Sequence, residues 1–179
     1  ILKIYLRDGK LPEEPPTLKE GVLTVYSPSC QGRALRDCIE GFMKQARPGD
    51  YVAILAFIER CASHEALLGK LQSLLGAKLH LAVTTGFGPR FLHSTGQLHK
   101  GGPNNGLFVQ LTQEDPETLE IPYRHYSFNV LSRAQALGDL AALRELKRRV
   151  VSINLGSDAE LGLRQLIRTF EEMQLSPVQ

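Results

Sequence analysis

The apolar positions change their period several times along the chain, and each change marks an element. "YVAILAFI" at 51–58 is apolar without alternation, as expected of a strand covered on both faces in the middle of a parallel sheet. "VLTVYS" (22–27), "HLAVTTG" (80–86), "LFVQLT" (107–112) and "VVSINL" (150–155) predict four further strands. Between 31 and 46 the spacing of Ala34, Leu35, Cys38, Ile39, Phe42, Met43 and Ala46 predicts an amphipathic helix. "SHEALLGKLQSLLG" predicts a second helix, capped by Ser63 and stopped by Gly76, with His64 exposed in its first turn. Helical spacing resumes from Asn129 to Arg149, with a break or bend expected at Gly138-Asp139. Asp158 is suited to cap a closing helix whose inward positions are Leu161, Leu166, Ile167, Phe170 and Met173.

Strands thus alternate with helices about five times. That order predicts an α/β three-layer sandwich: a central, mainly parallel sheet of about five strands, helices on both faces and right-handed crossovers. In such sheets ligands sit outside the carboxyl ends of the strands. Residues 1–20 read as a helical tail, "ILKIYLRDGK", and a proline-rich connector, and residues 21–179 as one α/β domain. A chain that opens at Ile1 inside a helical pattern is expected to be a piece of a longer polypeptide.

Composition narrows the function. A formal net charge of +2, with no lysine and arginine run interleaved with aromatics, argues against nucleic acid as a partner. Lys147-Arg148-Arg149 is expected to offset a helix dipole. The apolar runs are too short to span a membrane, for which about 20 residues are needed. Cysteines 30, 38 and 61 give no even count and no CxxC spacing, so a reducing, cytoplasmic setting is expected, with Cys38 in the core.

The richest chemistry lies between two predicted strands, in "GFGPRFLHSTGQLHKGGPNNG" (86–106). Gly86 and Gly88 are expected to let the backbone turn sharply, and Pro89 to open a short helix from Arg90 to His99. On such a helix His93 and Gln97 share a face, while Phe91, Leu92 and Leu98 pack inward. Lys100-Gly101-Gly102 offers a cation beside amides able to surround an anion. "PNNG" reads equally as a turn or a ligand contact, and His99 as an exposed residue. A dinucleotide site is rejected because the third glycine of GxGxxG is missing and Pro89 removes a donor. No metal site is expected, since His93 and His99 are six apart and the segment has no carboxylate or cysteine. No GxSxG elbow supports a hydrolase.

"GFGPRFLHSTGQLHKGGPN", with "RPGDYVAILAF" before it and "RAQALGDLAALRE" after it, resembles the C-terminal portion of bacterial transaldolase/phosphoglucose isomerase fusion proteins over most of residues 21–156. "LHSTGQ" is similar to the LHSxGQ string of bacterial phosphoglucose isomerases. The resemblance implies a flavodoxin-like sugar-isomerase (SIS) domain and, as activity, interconversion of glucose 6-phosphate and fructose 6-phosphate without a cofactor. It implies a phosphorylated hexose as ligand and upstream isomerase or transaldolase domains as partners in the same polypeptide; a homo-oligomer stays open. His93 takes the implied role of ring-opening acid/base, with Arg90, Ser94, Thr95, Gln97, His99 and Lys100 as substrate-pocket neighbours. The family's ExxGK-type carboxylate segment has no match here, and "FNVLSRAQALGD" echoes its lysine segment only faintly. The chain is therefore expected to be incomplete as an enzyme. The rival expectation is a non-catalytic module that binds a sugar phosphate or docks onto a larger enzyme.

Overall fold

The computed structural model describes residues 1–28, 30, 32–114 and 118–178. Position 31, where the first amphipathic helix was expected to begin, lies outside them. The chain runs through α1 (Leu2–Asp8), β1 (Leu18–Glu20), β2 (Leu23–Tyr26), α2 (Leu35–Met43), β3 (Tyr51–Phe57), α3 (Ala62–Leu79) and β4 (Ala82–Phe87). A 3-10 turn (Arg90–His93), α4 (Thr95–Gly101), β5 (Gly106–Thr112), α5 (Phe128–Glu145), β6 (Arg149–Asn154) and α6 (Ala159–Glu172) complete it.

The strands form one sheet in the order β1-β2-β6-β5-β3-β4. β3 pairs in parallel with both β4 and β5, and β5 in parallel with β6, whereas β2 runs antiparallel to β6 and β1 antiparallel to β2. The expected mainly parallel three-layer architecture is what forms. It carries one more strand than expected, because the connector contributes β1 to the sheet edge.

Alternation along the central strands assigns the two faces. Val52, Ile54 and Ala56 of β3 join Leu107, Val109 and Leu111 of β5 in one core, which α2, α3 and α6 cover. Ala53, Leu55 and Phe57 face the other way, with Phe108 and Val150, under Ala136, Leu140 and Leu143 of α5 and under Phe91. Three helices thus close one face, while α5 and the 3-10 turn serve the other. Burial of each large aliphatic or aromatic side chain contributes about 1.5–3 kcal/mol.

Several local expectations are corrected. α3 starts at Ala62, one residue before Ser63, and continues past Gly76 to Leu79, where His80 ends it at φ 56. His64 is buried, not exposed, because its Nδ1 donates to the Glu59 carbonyl at 2.8 Å. α5 is unbroken through Gly138-Asp139. Leu161 is exposed, and Leu163 takes the inward position; the Asp158 cap forms as expected, its Oδ1 accepting from the Leu161 amide at 3.0 Å. The basic cluster does not end a helix: α5 stops at Glu145, and Arg149 opens β6.

The cysteine expectation is also corrected. Cys30 and Cys38, the latter on α2, lie with their Cα atoms 4.8 Å apart and form a disulfide, and Cys61 is the free cysteine. Cys38 is buried in the core as expected. The pairing removes the ground on which a reducing setting was expected. Among the described residues, no helix is long and apolar enough to cross a membrane.

Candidate functional site

The polar segment leaves the carboxyl end of β4 in a turn that presses on two aromatic rings. The Gly88 amide donates to the Ala56 carbonyl at 2.8 Å, and the Gly88-Pro89 peptide is cis. Neither Gly86 nor Gly88 has positive φ; what they supply is room. A Cβ on Gly86 would sit 3.2 Å from Phe91, and one on Gly88 would run into the Phe57 ring. The Phe57 and Phe91 rings meet edge to face, centroids 5.4 Å apart, and seat the 3-10 turn on the sheet.

The single helix expected from Arg90 to His99 is two elements. Ser94, at φ −133 and ψ −102, separates the 3-10 turn from α4, so His93 and Gln97 belong to different elements. Its hydroxyl donates to the Phe91 carbonyl at 3.3 Å, and the Gln97 amide nitrogen donates to the Leu92 carbonyl at 3.2 Å. Arg90, His93, Ser94, Thr95 and Gln97 are all exposed, and Phe91 is buried as expected. Leu98, expected to pack inward, is exposed.

His99 and Lys100 part from this group. His99 is 5% exposed, not a surface residue, and lies among the rings of Tyr51, Phe91 and Phe108. Burial pushes its pKa below the usual histidine value; Asp139 opposes that shift and Lys100 adds to it. Lys100 forms an ion pair with the buried carboxylate of Asp139 on α5. Arg148 donates to the carbonyls of Lys100 and Gly102 at 2.6 and 2.7 Å. The Lys100 charge is therefore met within the fold, and the carbonyls beside it face a guanidinium. "PNNG" is a structural connection: Asn104 donates to the Lys147 carbonyl at 3.2 Å and Asn105 to the Gly49 carbonyl at 3.1 Å, both at the amino ends of the strands. The seven candidate residues thus divide into an exposed polar group, Arg90, His93, Ser94, Thr95 and Gln97, and an anchor of buried His99 and half-buried Lys100.

A second feature lies where the general rule for such sheets puts a ligand. β4 and β5 lie on opposite sides of β3, so the chain changes direction across β3, where the general rule places a crevice beyond the carboxyl ends. It holds a cavity of about 350 Å³, with Phe57, Thr112 and Gln113 at this end, α5 along one side and the connector above it. None of the seven nominated residues lines it. A sequence signal for it existed: on one face of β5 and β6, Phe108 and Val150 give way to Gln110, Thr112, Ser152 and Asn154 toward the carboxyl ends. A cluster of three or more His, Cys, Asp or Glu side chains able to hold a metal ion does not occur among the described residues.

No protein-family model and no curated protein matches the chain. Among solved structures it is similar to the crystal structure of a hypothetical protein from Thermus thermophilus, with a TM-score of 0.67 and 20% sequence identity over 76% of this chain. The likeness spans 37% of that longer protein, and at this identity it shows a shared fold.

Proposed function

We propose that this chain is the C-terminal SIS-like domain of an aldose-ketose isomerase that interconverts glucose 6-phosphate and fructose 6-phosphate, its site completed by upstream parts of the polypeptide. The observation that carries this reading is the exposed imidazole of His93, on the same 3-10 turn as exposed Arg90, in the segment that leaves the carboxyl end of a parallel strand. The family resemblance of "LHSTGQ" supports the same residue. Histidine exchanges protons near neutral pH, so His93 would pass a proton between the ring oxygen and the anomeric hydroxyl as the ring opens. A carboxylate then moves a proton between C2 and C1 through an enediol, whose developing oxyanion needs a nearby cation. Arg90 is the exposed cation on this surface.

A second reading, a non-catalytic module that binds a sugar phosphate or docks on a larger enzyme, is favoured by one fact. No acidic residue occurs between Glu65 and Glu114, so the segment itself brings no base for the C2 to C1 transfer. Calorimetry with fructose 6-phosphate beside a coupled isomerase assay on the full-length protein separates the two. Turnover supports the isomerase; binding without turnover supports the module.

A further inference from the structure

The open part of the α5 face is where the sheet turns polar. On β5 and β6, Gln110 and Ser152 are 1% and 4% exposed, positions that central parallel strands normally give to aliphatic side chains. They satisfy each other: the Ser152 hydroxyl donates to Gln110 Oε1 at 2.9 Å, and Gln110 Nε2 donates to the Ala136 carbonyl at 3.0 Å. Two residues further along each strand, Asn154 Nδ2 lies 3.4 Å from Thr112 Oγ1, and Asn154 Oδ1 accepts from the Gly156 amide at 2.8 Å. An amide nitrogen has two hydrogens and a hydroxyl one, so Gln110, Asn154 and Thr112 each keep a donor beyond these bonds.

The connector supplies the opposite wall. Pro12, Glu13, Glu14 and Pro16 line the cavity from above. Glu14 is tied to Arg144 at 2.6 Å, and the same guanidinium donates to the Tyr26 carbonyl at 3.3 Å, so the cover is latched to α5 and β2. Prolines keep such a segment extended, which lowers the entropy lost in holding it as a wall against a ligand. The charges nearly cancel: Glu14 is paired with Arg144, and the lining otherwise holds one carboxylate, Glu13, and one guanidinium, Arg133. That balance gives no net attraction for an anion. Donors on the floor and acceptors in the cover suit a molecule that both donates and accepts at every carbon, and Leu137, Leu140 and Phe57 suit its C–H faces.

We infer that the cavity between α5 and the connector is a binding site for a small uncharged polyhydroxylated molecule, separate from the surface around His93. Its volume lies in the range of about 300–1,000 Å³ usual for small-ligand pockets. The inference stands whether or not the chain serves an isomerase.

The test is an amide NMR titration of the protein with sorbitol, repeated with fructose 6-phosphate. Saturable shifts at residues 110, 112, 152 and 154 are expected with sorbitol, in the millimolar range for a ligand of this size. Thr112→Val should weaken sorbitol about fivefold by removing one hydrogen bond. Glu13→Ala, on the exposed connector and outside the core, should weaken it about threefold, and it carries the test if Thr112→Val fails to fold. No saturable shift, shifts centred on residues 90–97, unchanged affinity in Glu13→Ala, or tighter binding of fructose 6-phosphate at the cavity would each overturn the inference.

Discussion

Asp50 and Arg149 meet as a two-pronged ion pair at the amino ends of β3 and β6, Nη1 2.7 Å from Oδ2 and Nη2 2.9 Å from Oδ1. Arg149 also donates to the Gln45 carbonyl at 2.8 Å and to the Asn104 carbonyl at 3.2 Å, so one guanidinium gathers the loops that enter three strands. Burial works against the Asp50 charge, yet the guanidinium and the Arg47 amide hold its carboxyl below the usual aspartate range. A carboxyl depressed on folding contributes stability that is complete above its unfolded pKa of about 3.9 and is lost as pH falls through the lower folded value. Asp50→Asn should cost about 3 kcal/mol at neutral pH, because it leaves a largely buried guanidinium without a counter-charge. Urea denaturation of both proteins should show that difference shrinking below about pH 4. A difference independent of pH would remove the pair as its source.

His99 gives a dependence in a higher window. Its depressed folded value means that the unfolded chain takes up a proton first, so its contribution is complete above about pH 6.5 and declines as pH falls. His99→Phe fits the surrounding rings and has nothing to titrate. Melting curves between about pH 7 and pH 5 should fall less steeply for the variant than for the parent. Equal slopes would show that His99 is not the group responsible.

Gly96 lets α4 approach the 3-10 turn closely. A Cβ there would lie 2.9 Å from the Phe91 carbonyl oxygen, backbone that has little room to yield. Gly96→Ala should destabilise the protein by about 1–3 kcal/mol, although alanine is the better helix former. Gly101→Ala, where a Cβ meets nothing within 4 Å, is the control and should be neutral or slightly stabilising. Similar denaturation midpoints for the two variants would contradict the packing described for Gly96.

The disulfide gives a simple count. With Cys30 and Cys38 joined, the folded, unreduced protein should present one thiol to a titrating reagent, that of the partly exposed Cys61. Reduction should release two more and lower stability by about 2–3 kcal/mol, the loop-closure estimate for so short a separation. Three reactive thiols before reduction would contradict the pairing.

The strands and most helices were legible because long apolar runs and helical stripes report burial directly. β1 was not: a three-residue edge strand with exposed Lys19 and Glu20 resembles the connector that leads into it. Gly138-Asp139 looked like a break, yet Asp139 is fixed by Lys100 from another element, a tertiary contact that outweighs a glycine cost of about 1 kcal/mol. The burial of His64 and His99 was hidden for the same reason, since a backbone carbonyl and a set of rings are not neighbours in the local pattern. The segment 86–106 was recognisable as polar, but its split at Ser94 depends on backbone angles that the spacing of side chains does not encode.

The most direct test of the proposed activity is the coupled isomerase rate of the full-length protein with His93→Ala, set beside its affinity for fructose 6-phosphate. Turnover is predicted to fall by about 10²-fold or more, as for loss of a general acid/base, while binding changes little. Turnover equal to that of the parent would contradict the role given to His93.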